Sequence, residues 1–154
     1  ALSGLINQAS NHLMTGAVAR PIGTLHPNIA PYGETFRCAD GGRIILAVGT
    51  DAQFKALFRT IVLPHLPDAP RFSSNTERVR HRIALAQELA APIAEQARKP
   101  LLDALIAAGV PAGAVLDIAE VMRTPAAQAM VLEDEADGRT GRRIRGNAFR
   151  LMER

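Results

Sequence analysis

The runs Gly33-Glu34-Thr35-Phe36-Arg37-Cys38, Asp40-Gly41, Ile44-Ile45-Leu46-Ala47-Val48 and Gly49-Thr50-Asp51-Ala52-Gln53-Phe54 decide the fold. The first alternates, with Glu34, Phe36 and Cys38 on one face and Thr35 and Arg37 on the other, which is the period of a β-strand. Asp40-Gly41 is a strong hairpin turn signal. Ile44 to Val48 is apolar on both faces, as a strand covered on each side would be. Thr50 with Gln53 three residues on fits a capping box, after which Phe54, Leu57, Phe58, Ile61 and Val62 recur at helical spacing. Residues 33–63 therefore read as strand, turn, strand, tight turn, helix.

Toward the N-terminus, Leu2, Leu5, Ile6, Ala9 and Leu13 predict a helix that ends at Gly16. Residues 17–32 hold Pro21, Gly23, Pro27 and Pro31 and keep no apolar period; irregular loops of that length are usually functional or mobile. Toward the C-terminus, Pro64, Pro67 and Pro70 stop the helix, and Ser74 with Glu77 suggests a second capping box. Val79, Ile83, Ala86, Ala90, Ile93 and Ala97 mark one buried face of a long helix that Pro92 should kink or divide. Pro100 at a first helical position, then Leu101, Leu102, Leu105 and Ile106, then Gly109, predict a short helix with both ends signalled. Val110 to Val115 reads as a turn and a short strand, and Asp117 with Glu120, then Thr124-Pro125, open two short helical pieces. From Val131 onward a hairpin is expected through Asp137-Gly138 or Thr140-Gly141, with Arg142 to Arg145 on the return strand. The fold class is α/β: a short β-sheet with a hairpin, packed by several helices.

The 154 residues are one domain's worth by the usual ~150-residue prior, and 47% hydrophobic with 21% charged residues is an ordinary globular composition. No run approaches the ~18 apolar residues of a membrane span, and the first residues lack a basic stretch leading into an apolar one, so no membrane association is expected. The single cysteine, Cys38, excludes an internal disulfide, and a reducing cytoplasm is the expected location. The chain opens without methionine inside a helical pattern and closes on Phe149 to Arg154 with no turn or cap signal, so it is expected to be a piece of a longer protein.

His12, His26, His65 and His81 have no ligand spacing, so no metal is expected; no Gly-rich phosphate loop and no Gly-x-Ser-x-Gly elbow is present. Cys38 ends an apolar strand face and reads as an inert buried thiol rather than a nucleophile. Asp51, at a strand-to-helix turn, either stabilises the helix N-terminus or faces a cleft, and locally the capping role is favoured. His26 and Asn28 lie on a proline-stiffened loop of the kind that carries sites, although plain solvent exposure is the simpler reading. The net charge is +3, and sixteen of the eighteen basic residues are arginine, which suits bidentate contacts to phosphate or carboxylate. The basic tail, Arg139, Arg142, Arg143, Arg145, Arg150 and Arg154, reads as a solvated sheet edge. Nucleic-acid binding would want interleaved aromatics, and with 4% aromatics no nucleic-acid partner is expected.

Taken together, Thr15-Gly16, Arg20-Pro21-Ile22-Gly23, His26-Pro27, Pro31-Tyr32, Phe36, Asp40-Gly41, Ala47-Val48-Gly49, Asp51 and Gln53-Phe54 resemble the class III CoA-transferases. That family includes formyl-CoA transferase, carnitine CoA-transferase and α-methylacyl-CoA racemase. Arg71-Phe72, Asn75, Arg78-Val79, Arg82 and Gly109-Val110-Pro111-Ala112-Gly113 continue the likeness in order, over nearly the whole chain, with residues 131–154 matching only loosely. Members of the family have a large Rossmann-like domain built from both chain ends and a smaller α/β domain between. The resemblance therefore implies a small-domain fragment. Residues 1–32 would be the connecting helix and loop, 33–130 the small domain, and 131–154 a return hairpin toward the large domain.

In the family's transferases an aspartate attacks the acyl-CoA and passes through mixed-anhydride and aspartyl-CoA thioester intermediates. None of Asp40, Asp51, Asp68, Asp103, Asp117, Asp134 or Asp137 matches its motif, so the nucleophile is expected upstream, as are most CoA contacts, and no catalytic residue is assigned to this chain. The resemblance implies acyl-CoA and a carboxylic acid acceptor as substrates, no permanently bound cofactor, and an interlocked homodimer for the complete protein. Residues Gly23 to Ala30 occupy the place of a mobile glycine-rich loop in formyl-CoA transferase, but the glycine run is absent, which points away from formyl or oxalyl specificity. Where the racemase branch carries a catalytic glutamate after Val-Gly, this chain has Thr50-Asp51-Ala52 and no glutamate, which favours a transferase over the racemase alternative. An arginine-rich binding module without catalysis is the second alternative. Gly23, His26, Asn28, Thr50 and Asp51 are the expected substrate-facing residues, contributing pocket wall.

Overall fold

A computed structural model describes residues 6–136 and 138–146. The chain divides into two compact units, Ala1–Ala114 and Val115–Arg154. Leu2 and Leu5 of the opening stripe, Asp137, and Arg150 and Arg154 of the basic tail lie outside the described residues.

In the first unit, helix α1 (Ile6–Thr15) ends as expected, with the Gly16 N–H donating to the His12 carbonyl. Strands β1 (Tyr32–Arg37) and β2 (Arg43–Ala47) pair antiparallel, with Phe36 opposite Ile44 and Arg37 opposite Arg43. The sheet is completed by β3 (Ala112–Val115) in the order β1-β2-β3. Helix α2 (Asp51–Thr60) follows β2, and its capping box is complete: the Gln53 N–H donates to Thr50 Oγ1, and Gln53 Oε1 accepts from the Thr50 N–H. Two 3₁₀ turns at Leu66–Asp68 and Pro70–Phe72 carry the prolines to helices α3 (Asn75–Arg80), α4 (Arg82–Ala94) and α5 (Arg98–Ala107).

Alternation along β1 and β2 sends Phe36, Ile44 and Leu46, with Val48 beyond, into one core. There they meet Phe54, Leu57 and Phe58 of α2, Phe72 of the second 3₁₀ turn, Leu85, Leu89 and Ile93 of α4, and Leu101 and Leu105 of α5. Burying each such side chain contributes about 1.5–3 kcal/mol of transfer free energy. α4 packs on β1, and α5 on β2 and α2. The other face of β2 is only half covered, because Ile45 and Ala47 are half-buried.

Several boundaries differ from the sequence reading. The stretch expected as one long helix breaks at His81, which adopts φ −103° and ψ 25° and serves both as the end of α3 and the start of α4, while α4 runs through Pro92. Pro92 brings no N–H for the carbonyl four residues back, and α4 ends two residues after it. The buried stripe is Leu85, Leu89 and Ile93, not Ile83, Ala86 and Ala90, and Ile83 is 79% exposed. This helix is apolar on most sides, so the period alone does not choose a face, and the bulkier leucines take the core. Val62 lies past the end of α2, at φ +65° and exposed, and Ile106 of α5 is exposed as well. Pro100 is the third residue of α5 rather than the first, still within the turn whose N–H groups have no partner inside the helix. The Ser74 cap is present, but Glu77 turns away from the box to pair with Arg80 Nη1 at 2.8 Å.

Helix α5 has no capping side chain of its own at Ala97. Asp40 of the β1–β2 turn supplies the acceptor instead: its Oδ2 takes the Arg98 N–H at 3.0 Å and its Oδ1 the Gly42 N–H at 3.1 Å. At the other end the Val110 N–H donates to the Leu105 carbonyl and the Gly109 N–H to that of Ile106, a Schellman closure that requires the positive φ of Gly109.

In the second unit, α6 (Ile118–Met122) starts from a complete Asp117–Glu120 capping box and α7 (Pro125–Gln128) from a Thr124 cap. Strands β4 (Val131–Ala136) and β5 (Arg139–Ile144) form the expected hairpin, with Gly138 at φ +70° in its turn. Arg142 lies 3.0 Å from Glu133, and Arg143 pairs with Asp134.

Candidate functional site

The loop before β1 and the turn after β2 are joined through main chain: the Val48 N–H donates to the Pro31 carbonyl at 3.0 Å, and the His26 N–H to that of Tyr32 at 2.8 Å. Gly33 lets the loop return on itself. It sits at φ +89°, and a Cβ there would stand 1.8 Å from the Thr24 carbonyl oxygen, so only glycine fits.

Side chains of α3 and α4 then hold both parts. Asn75 donates through Nδ2 to the Asn28 carbonyl at 2.7 Å and accepts the Ala30 N–H on Oδ1 at 3.2 Å. Three residues on, Arg78 Nη2 reaches Asp51 Oδ1 at 2.5 Å, while its guanidinium lies 4.3 Å from the centre of the Phe54 ring. Arg82 donates through Nη2 to the carbonyls of His26, at 2.6 Å, and of Ile29. Its Nε is 2.9 Å from Glu34 Oε1, an ion pair in which Glu34 is 6% exposed. A carboxylate at that depth needs such a cation, since burial strips its hydration.

Of the five residues expected to face substrate, four gather on these two segments: His26 and Asn28 on the loop, Thr50 and Asp51 at the turn. His26 is half-buried, edge-on to Tyr32 at 5.3 Å between ring centres, and its Nδ1 accepts the Asn28 N–H. Asn28, Thr50 and Asp51 are exposed. Gly23 stands apart, exposed, with nothing within 4 Å of a Cβ placed on it. Asp51 is not the capping residue, which is Thr50; it is the first residue of α2, where its charge favours the helix N-terminus and meets Arg78. A groove of about 440 Å³ beside the Glu34–Arg82 pair is walled by Leu25, Phe36, Ile83, Ala86 and Ala90, and none of the five residues lines it.

Cys38 is buried; burial, and then the neighbouring Asp40, push its thiol above the ordinary pKa against the pull of Arg98, as for an inert thiol. Among the described residues, no three His, Cys, Asp or Glu side chains lie together as metal ligands would, and no helix is long and apolar enough to cross a membrane. Glu34, Asn75, Arg78 and Arg82 were not among the residues expected at the site. Two signals pointed to them: a glutamate on the inward face of a strand demands a partner, and polar residues at 75, 78 and 82 share one side of a helical stretch.

The chain is 34% identical over 92% of its length to succinate–glutarate CoA-transferase of Agrobacterium fabrum, and 36% identical over 72% to acetyl-CoA:oxalate CoA-transferase of Acetobacter aceti. A crystal structure of a CaiB/BaiF family protein from Brucella suis superposes with TM-score 0.78 at 35% identity over 96% of the chain. The chain spans 35% and 28% of the two curated relatives and 38% of the crystallised protein. The model of CoA-transferase family III matches residues 1–152, and with these likenesses in sequence and fold the chain belongs to that family.

Proposed function

We propose that this chain supplies an acyl-pocket wall and domain contacts to a class III acyl-CoA:carboxylate CoA-transferase whose nucleophilic aspartate lies on polypeptide outside these residues. One observation carries the reading: α3 holds the loop at Asn28 and Ala30 through Asn75 and the turn at Asp51 through Arg78, leaving Asn28, Thr50 and Asp51 exposed beside a half-buried His26. In this arrangement residues 1–32 are the connection from a large domain, 33–130 the small domain and 131–154 the return toward it. The complete protein is an interlocked homodimer of a reducing cytoplasm.

Acyl-CoA and a small carboxylic acid are the substrates. The external aspartate attacks the thioester carbonyl and expels CoA thiolate, giving a mixed anhydride. The thiolate then attacks the aspartyl carbonyl, which releases the first acid and leaves an aspartyl-CoA thioester. The acceptor carboxylate takes CoA by the reverse sequence, which restores the aspartate. His26, Asn28, Thr50 and Asp51 shape and orient the acyl end and exclude water from the anhydride; Gly23 completes the loop.

The test is transfer from succinyl-CoA to glutarate by the longer protein that carries this chain, beside its His26→Ala and Asp51→Asn variants. Reduced turnover in folded variants is the expected result, and unchanged kinetics would remove these residues from the wall. Exchange of the α-proton of a 2-methylacyl-CoA with solvent deuterium, without an acceptor acid, would assign a racemase instead.

A further inference from the structure

Residues His26 to Ala30 belong to no helix or strand, yet their main chain is held at almost every position. Arg82 takes the carbonyls of His26 and Ile29, and Asn75 takes the Asn28 carbonyl and the Ala30 N–H. Arg82 is itself fixed: its side chain is 18% exposed, and the buried Glu34 carboxylate lies 2.9 Å from Nε. Glu34 balances the charge of the guanidinium at that depth, and the guanidinium holds the loop. A lysine cannot replace this arrangement, because an ammonium is a compact point charge without the planar fork that reaches a carboxylate and two carbonyls at once.

We infer that Asn75 and Arg82 are positioning residues that preset the loop, so that His26 and Asn28 meet the acyl group as a fixed wall and not as a lid ordered by substrate. The inference rests on the proposal that this loop faces the substrate. A wall ordered before binding takes none of its ordering entropy from the substrate's binding energy, and it holds the reacting acyl group in register.

The test uses the longer protein with Asn75→Ala and Arg82→Lys, and Ile93→Val as a control that loosens the core of α4 away from the loop. Amide hydrogen exchange is read at His26, Asn28 and Ala30, together with kcat, KM and melting temperature. Asn75→Ala leaves no buried charge unpaired, so it remains informative if Arg82→Lys does not fold. The expected result is loop protection reduced about tenfold and kcat reduced about ten- to a hundredfold, with KM changed far less, in the loop variants alone. Unchanged loop exchange in Asn75→Ala would overturn the clamp. Faster loop exchange with unchanged kcat would overturn the positioning role, and equal loss of kcat in Ile93→Val would do the same. A wild-type protein without transfer activity would overturn the functional reading and the positioning role with it, a result distinguishable because the exchange data report the clamp separately.

Discussion

Arg78 and Asp51 are joined at 2.5 Å across a steep gradient of burial, the arginine side chain 5% exposed and the aspartate 70%. The guanidinium also lies over Phe54 and near the Phe72 carbonyl, so its packing outweighs the partly screened ion pair. Arg78→Ala is therefore expected to lower stability by about 3 kcal/mol, and Asp51→Asn by only about 1 kcal/mol. Urea unfolding of the two variants checks the order, and an equal cost would contradict it.

Gly33→Ala should be among the most damaging single substitutions in the first unit. It combines an unfavourable positive φ with a Cβ placed onto the Thr24 carbonyl, at an expected cost of about 3 kcal/mol or more. Gly23→Ala meets nothing within 4 Å and bears only the strain of its φ of +71°, about 1 kcal/mol. Chemical denaturation of the pair reads the difference.

Asp40 gives the first unit a dependence on acid. The Arg98 N–H, above all, holds its carboxyl below the usual range, helped by the Gly42 N–H and the charge of Arg98. A carboxylate with a lowered native pKa adds stability above its unfolded pKa of ~3.9, and that stability is lost as pH falls through the native value. Asp40→Ala is thus expected to lower the melting temperature near neutrality, with a gap from wild type that narrows below about pH 4. A gap constant from pH 7 to pH 2 would contradict the role given to Asp40 at the start of α5.

The arginines of β5 should attract nucleic acid poorly, because Arg142 and Arg143 are matched across the hairpin by Glu133 and Asp134. Retention on immobilised DNA is expected to show a salt slope below about 2, whereas a slope of about 4 or more would revive the arginine-rich binding module.

Much of this architecture was legible in residues 33–63 because the signals there are local. A period of two, an Asp-Gly turn and a Thr-Gln capping box each depend on neighbours within a few residues. The same holds for Gly109 and for Asp117 with Glu120. The break at His81 and the choice of Leu85, Leu89 and Ile93 were not legible, since α4 offers apolar side chains in nearly every direction and the sheet makes the selection. The candidate site was half legible. Thr50 and Asp51 followed from the strand-to-helix turn and His26 and Asn28 from the loop, but the contacts that hold them span 27 to 56 residues of sequence. The spacing of residues 75, 78 and 82 marks a shared side, but it does not name the distant groups that Arg78 and Arg82 reach.

The external nucleophile is open to direct trapping. The longer protein, incubated with succinyl-CoA and then hydroxylamine, should yield a hydroxamate that peptide mapping finds on one aspartate outside these 154 residues, with Asp51 and every other carboxylate of the chain unmodified. A hydroxamate on Asp51, or on any carboxylate within the chain, would contradict the assignment of this segment as a wall without a nucleophile.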